Sequence, residues 1–216
     1  MMLPDFNRTK SLPSELQSVI GASFKKLPRL TEERAPLEHA PIDHIAVAAL
    51  NARELRRLWQ IATDIGAKVV EPVHLWPDDL PGCPEIVFDA DRKYMCTVDV
   101  DDFLVVLLAP HNGSDIIADF LERSGGPSVH HFALAVDNVE TKLSECRSYP
   151  YVRQITPIAT DEGLLTQVFL AADDDTRIIE LIKRGKDFRG TFTCKNIATL
   201  TAGERAAMIG GSNDAR

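Results

Sequence analysis

The sequence lacks any run of 18 apolar residues, so no segment reads as a membrane-spanning helix. It lacks a basic excess. Lys and Arg number 24 against 32 Asp and Glu, a net charge of −8 at pH 7. Sequence-independent binding to a phosphate backbone needs a positive surface, so a nucleic-acid partner is not expected. It lacks C-x-x-C spacing as well. Cys83, Cys96, Cys146 and Cys194 stand far apart, which supports neither a zinc knuckle nor a thioredoxin-type motif. A chain of 216 residues does not need disulfide staples, and MMLPDFNRTK has no apolar secretory core. These absences lead to the expectation of a cytoplasmic protein with reduced cysteines.

Hydrophobic residues at 44% and charged residues at 26% match an ordinary globular chain and exclude disorder over most of the length. Length alone gives about 1.4 domains. Residues 1–40 read as an N-terminal extension. Within it, LPSELQSVIGASF forms an amphipathic helix with Leu16, Val19 and Ile20 on one face, and the proline-bearing KLPRLTEERAPLEHAP reads as linker.

The most informative positive feature is a weak internal repeat. IDHIAVAAL at 42–50 aligns with VHHFALAVD at 129–137, placing His44 over His131 at a distance of 87 residues. Both copies alternate as strands do. Each histidine shares its face with alanines (Ala46 and Ala48, Ala133 and Ala135), while Ile45, Val47, Phe132 and Leu134 give the other face its bulk. One face can pack on a helix; the other leaves room beside the histidine. A helix follows each strand. Asn51 caps the first, with Glu54 three residues on and Leu55, Leu58, Trp59, Ala62 and Ile65 as its stripe, and Gly66 stops it. Asn138 caps a shorter second one, with Val139, Leu143 and Cys146 on one side.

Three strand-like segments then follow in each copy. They are AKVVEPVHL, PEIVF or KYMCTVDV, and FLVVLLA in the first, and VRQITPI, LLTQVFLA and RIIELIKR in the second. Turns are expected at Pro81-Gly82, Asp89–Asp91, Asp101-Asp102, Asp161–Gly163 and Asp173–Asp175. SDIIADFLER, ended by Gly125-Gly126-Pro127, makes a connecting helix from Ser114, and a short helix is expected near Leu200–Met208. The fold class is α+β: paired βαβββ modules around one cupped mixed sheet. The divisions are 1–40, a first module at 41–110, a connecting helix at 111–128, a second module at 129–185 and a C-terminal segment at 186–216.

His44, His131 and Glu180 sit on otherwise apolar strands. Glu180 is flanked by branched aliphatics, and such a carboxylate is costly to bury unless paired or metal-bound. Two imidazoles and one carboxylate with open positions suit a non-haem Fe(II) site, although Mn, Co, Ni and Zn also accept this set. The first-copy counterpart of Glu180 falls close to Val106, and no Glu, Gln or His lies between Phe103 and Pro110. His39, His74 and His111 fall in linker or turn contexts. His130 is expected to face away from its neighbour, as packing or support, and Trp59 is read as core.

The chain resembles the vicinal oxygen chelate superfamily of glyoxalases, epimerases, extradiol dioxygenases and bleomycin-resistance proteins over about residues 41–185. Its second half resembles the catalytic half of the 4-hydroxyphenylpyruvate dioxygenases. SDIIADFLERSGGPSVHHFAL, EGLLTQVF, IIELIKR and GTFTCKNIATL carry the likeness. The resemblance implies His44, His131 and Glu180 as iron ligands, Gln167 as a substrate contact and Phe192 as an aromatic covering the pocket. The family's pocket pattern is departed from at His130, Leu108, Ile116 and Ile197. The expected activity is an Fe(II)-dependent dioxygenase acting on a small organic acid, of which 2-oxo acids are one class, with that acid and O2 as its small-molecule partners. The alternatives are a metal-dependent epimerase, isomerase or lyase, which normally needs a fourth ligand and a base, and a non-catalytic ligand-binding module. A homodimer is compatible with the fold.

Overall fold

The computed structural model describes residues 12–24, 36–79, 83, 91–100, 103–172, 178–186 and 192–211. The PEIVF segment and the turns at Pro81-Gly82, Asp101-Asp102 and Asp173–Asp175 lie outside them. Helix α1 (Ser14–Phe24) comes first. The first copy follows as β1 (Ile42–Ala48), α2 (Ala52–Asp64), β2 (Lys68–Trp76), β3 (Lys93–Asp99) and β4 (Leu104–Pro110). Helix α3 (Ile116–Ser124) leads to the second copy: β5 (Ser128–Ala135), α4 (Val139–Arg147), β6 (Val152–Gln154), β7 (Ala159–Asp161), β8 (Leu165–Ala172) and β9 (Ile178–Arg184). Helix α5 (Cys194–Gly211) is last.

The helix starts follow from side-chain oxygens that satisfy exposed N–H groups. Asn51 accepts from the Glu54 amide at 2.9 Å, and Glu54 returns a carboxylate to the Leu50 amide at 2.7 Å. Asn138 accepts from the Thr141 amide at 2.7 Å. Helix α3 begins at Ile116, two residues later than expected, because Asp115 takes the amides of Ile117 and Ala118 at 3.0 and 2.9 Å. It ends on Gly125 at φ 75°, a left-handed turn that glycine adopts without a Cβ clash.

Among the described residues nine strands form one mixed sheet in the order β2-β3-β4-β1-β5-β9-β8-β6, with β7 also on β8. Its centre is the antiparallel seam of β1 and β5. Moving outward, β1 pairs with β4 and β5 with β9, both in parallel, so the halves repeat each other about the seam. The expected strand VRQITPI holds only as far as Gln154, as β6, and β7 begins beyond it at Ala159. Pro157 has no N–H to give, and the Thr156 hydroxyl takes the Phe169 amide at 3.0 Å in place of a ladder bond.

The alternation along β1 and β5 sorts the core. Ile45, Val47 and Phe132 pack with Leu55, Leu58 and Ala62 of α2 and with Leu16 and Ile20 of α1. Each buried aliphatic of α2 contributes about 1.5–3 kcal/mol. On the second half, Val139, Leu143 and Cys146 of α4 meet Leu134, Val168, Leu170, Ile179 and Leu181. The other face is the cup. Ala46, Ala48, Trp76, Met95, Val106 and Leu108 meet Ile116, Ile117 and Phe120 of α3 there. Helix α5 closes over it and runs far beyond the short helix expected near Leu200.

Two expectations need correction. Cys83 and Cys194 are joined as a disulfide, their Cα atoms 5.1 Å apart, because α5 returns to the segment after β2. Cysteine usage therefore no longer supports a reducing compartment. Cys96 and Cys146 remain free, and burial raises both thiols, Cys146 to about 11. His74 lies in strand β2 and is buried, not in a turn. Among the described residues no helix is long and apolar enough to cross a membrane.

Candidate metal centre

The seam register sets the centre. His44 stands opposite Ala133 and His131 opposite Ala46, so each imidazole faces a residue with only a methyl group. Glu180 stands beside Ala133 across the parallel β5–β9 pair. Nε2 of His44 and Nε2 of His131 are 3.1 Å apart, and each lies 3.2 Å from Oε2 of Glu180. All three residues are buried, at 0%, 7% and 1% exposure. Donors about 2.1 Å from one ion and at right angles to one another lie about 3 Å apart, so the spacing fits a divalent cation on one face of an octahedron. In the first copy Ala46 pairs with Val106, just as Ala133 pairs with Glu180. Val106 thus occupies the position equivalent to Glu180 and has no donor atom.

Each histidine is preceded by a β-bulge. The pairing skips Asp43 in β1 and His130 in β5, so each is the extra residue on its strand. A bulge re-aims its side chain, and this corrects the expectation that His130 faces away. Nδ1 of His130 lies 2.9 Å from Nδ1 of His131, and Nδ1 of His44 lies 2.9 Å from Oδ1 of Asp43. Arg184 donates to both oxygens of Asp43, at 2.8 and 2.7 Å. Nε2 of His130 faces Oε1 of Glu204 in α5 at 3.0 Å, a close contact without hydrogen-bond alignment.

These contacts fix the tautomers. The Asp43 carboxylate only accepts, so Nδ1 of His44 keeps its proton, and a cation at the centre would take the place of a proton on Nε2. Glu204 likewise draws the proton of His130 to Nε2. Nδ1 of His130 is then an acceptor, and His131 must donate from Nδ1, which leaves its Nε2 lone pair facing inward. Burial raises Asp43, but His44 and Arg184 outweigh it and hold its carboxyl well below the usual range. Burial would lower His44; the Glu180 and Asp43 carboxylates reverse that and push it up to about 9. Burial lowers His131 well below its ordinary value, and the charges of His130, His44 and Lys93 act in the same direction. Burial raises Glu204, and His130 and Lys93 more than offset it, leaving the carboxyl below its ordinary value.

Gln167 lines the same cavity, but both ends of its amide are engaged. Its Nε2 donates to Oε1 of Glu180, and its Oε1 accepts from Nδ2 of Asn196 at 2.9 Å. It therefore orients Glu180 in this structure. Phe192 lies edge-on to His44, with ring centroids 5.1 Å apart, at the cavity wall. The cavity, about 60 Å³ in volume and open to solvent, lies between the two halves and α5. Its first-copy wall is apolar through Met95, Val106 and Leu108, apart from Lys93.

Sequence reading missed Asp43, Lys93, Asn196 and Glu204. The repeat held a signal for one: Asp43 aligns with His130, and both immediately precede a cup histidine. Lys93, Asn196 and Glu204 had no local signal.

No protein-family model matches the chain, and no curated protein gives a significant match. Solved structures do. A triple mutant of 4-hydroxymandelate synthase from Streptomyces coelicolor is 22% identical, with a TM-score of 0.57 over 83% of this chain and 57% of that one. A xylose isomerase-like TIM barrel/4-hydroxyphenylpyruvate dioxygenase fusion protein is 18% identical, with a TM-score of 0.53 over 77% of this chain and 29% of that one. Methylmalonyl-CoA epimerase from Mycobacterium tuberculosis is 21% identical, with a TM-score of 0.48 over 67% of this chain and 88% of that one. At these identities the likeness is one of architecture. With a βαβββ first half and a second half that repeats it with one extra short strand, joined at β1 and β5 around one cup, the chain has the fold of the vicinal oxygen chelate superfamily.

Proposed function

We propose that the protein is a metal-dependent enzyme, a non-haem Fe(II) dioxygenase acting on a small organic acid of the 2-oxo type. The observation that carries this reading is the donor set: two imidazole nitrogens and one carboxylate oxygen converge, and the position equivalent to Glu180 in the first copy is Val106. His44 and His131 would hold the ion through Nε2, and Glu180 through Oε2. Bound there, a divalent cation supplies Lewis acidity and, as Fe(II), the electrons for oxygen chemistry.

The chain's own residues do the rest. Asp43 and His130 hold the Nδ1 side of each ring, so that Nε2 would face a bound cation. Gln167, braced by Asn196, holds Glu180 in one orientation. Phe192 covers His44, and Val106, Leu108 and Ile117 keep water from the open side of the centre. An epimerase or isomerase would want a fourth protein ligand, and Val106 stands against that.

The test is anaerobic purification, loading with Fe(II), and oxygen uptake against a panel of aryl and alkyl 2-oxo acids. Uptake that depends on Glu180 is the expected result. Iron bound without uptake would favour isomerisation, and no metal binding would leave a ligand-binding module. Unchanged metal content in Glu180→Ala would overturn the site.

A further inference from the structure

Lys93, on β3, lies in the wall of the same cavity and is only 7% exposed. Its Nζ donates one hydrogen bond, to the Thr201 hydroxyl of α5 at 2.6 Å, and lies 5.1 Å from the centroid of the Trp76 ring. An ammonium has three donors, and among the described residues the other two have no hydrogen-bond partner. Among the described residues Lys93 has no ion-pair partner. The carboxylates nearest in charge are committed elsewhere: Glu204 to His130, Asp91 to Arg205, and Asp115 to the amides that open α3. Burial lowers Lys93, while Glu204, Asp91 and Asp115 oppose that and favour the charged form. A buried cation without a counter-ion is costly, and a cavity wall is where an anionic ligand would remove that cost.

We propose that Lys93 and Thr201 form a subsite for a carboxylate of the substrate, distinct from the end that reaches His44, His131 and Glu180. The proposal rests on the reading of this cavity as the substrate site, and it names the class: a small 2-oxo acid with a second acidic group. The distal carboxylate accepts from Nζ of Lys93, and the Thr201 hydroxyl can turn to donate to it. The apolar Met95, Leu108 and Ile117 line the same cavity.

The test is calorimetric binding to the zinc-loaded protein, which does not turn over. The probes are 2-oxoglutarate and 2-oxopentanoate, which have the same chain length and differ by one carboxylate. Wild type is expected to bind 2-oxoglutarate about tenfold or more tightly, the worth of a hydrogen bond to a charged group. Lys93→Met should erase that difference and leave 2-oxopentanoate within about twofold. Lys93→Arg should keep part of it. In Glu180→Ala the same contrast is run with glutarate against pentanoate, which need no chelation. A Lys93-dependent preference there supports the subsite even if zinc fails to load, a failure that would count against the metal reading alone. Equal affinity for the members of both probe pairs, unchanged by Lys93→Met, would overturn the proposal. A lower melting temperature in Lys93→Met with the probe preference intact would also overturn it, by assigning Lys93 a structural role.

Discussion

The first and second copies share their strand register and differ in what they place on it. Val106 answers Glu180, Met95 answers Gln167, Lys93 answers Leu165, and Asp43 answers His130. The shared part is backbone geometry: a bulge, a cup-facing histidine and an alanine two residues on, each produced twice. The differences are chemical. The second copy supplies the carboxylate and the amide that steadies it, while the first offers apolar side chains and one buried ammonium. A doubled scaffold thus yields a one-sided centre, with its protein donors crowded towards β9 and its open side towards β3 and β4. In the proposed reading that open side takes the substrate, and Lys93 lies in its wall.

The largest effect should come from making the copies alike. Glu180→Val reproduces Val106 in the second half and removes one of three donors. Metal affinity should fall by more than the roughly 10–100-fold typical of outer hydrogen-bond partners, read by chelator competition and metal analysis. The reverse change, Val106→Glu, gives the first half a carboxylate in the equivalent place. Metal should still bind, while oxygen uptake with 2-oxo acids should be lost because the open side is filled. Retained uptake would show that the side facing Val106 is not the working one.

The two relays can be compared next. Asp43→Asn and Glu204→Gln each replace an acceptor-only carboxylate with an amide, and each should lower metal affinity by about 10–100-fold. If only Asp43→Asn does so, the His130–Glu204 arm is idle packing. A smaller effect concerns pH. His44 is raised from 6.5 to about 9, so the folded chain holds that proton more tightly than the unfolded one. Its contribution to stability is fully present below about pH 6.5 and is lost as pH rises through about 9. In chelator-treated protein the melting temperature should therefore decline over that window. Asp43→Asn should flatten the decline, because it removes one of the two carboxylates responsible.

The doubled architecture was legible because a period-two alternation survives in both copies, with His44 and His131 on the small face. Glu180 was legible because an acid among Ile178, Ile179, Leu181 and Ile182 stands out. The direction of His130 was not. Strand periodicity assigns alternate faces, and a one-residue bulge breaks that count without a sequence mark. The interruption after Gln154 was written in Pro157, yet the apolar pattern on either side of it masked the break. Helix α5 was underestimated because CKNIATLTAGERAAMIGG, with its several small residues, carries no clear apolar stripe. The Cys83–Cys194 pairing spans 111 residues and no motif announces such a pair. Lys93 and Glu204 look like ordinary surface charges until the tertiary structure encloses them.

Helix α5 braces both halves of the cavity. Asn196 holds Gln167, Thr201 meets Lys93, Glu204 meets His130, and Cys194 is tied to Cys83. A ribosome delivers this helix after every strand of the sheet. While it is still being made, the sheet can assemble, yet its cup stands open and His131 has no fixed tautomer. In the metal reading proposed above, the support that Glu204 gives to His130, and through it to His131, exists only once α5 has docked.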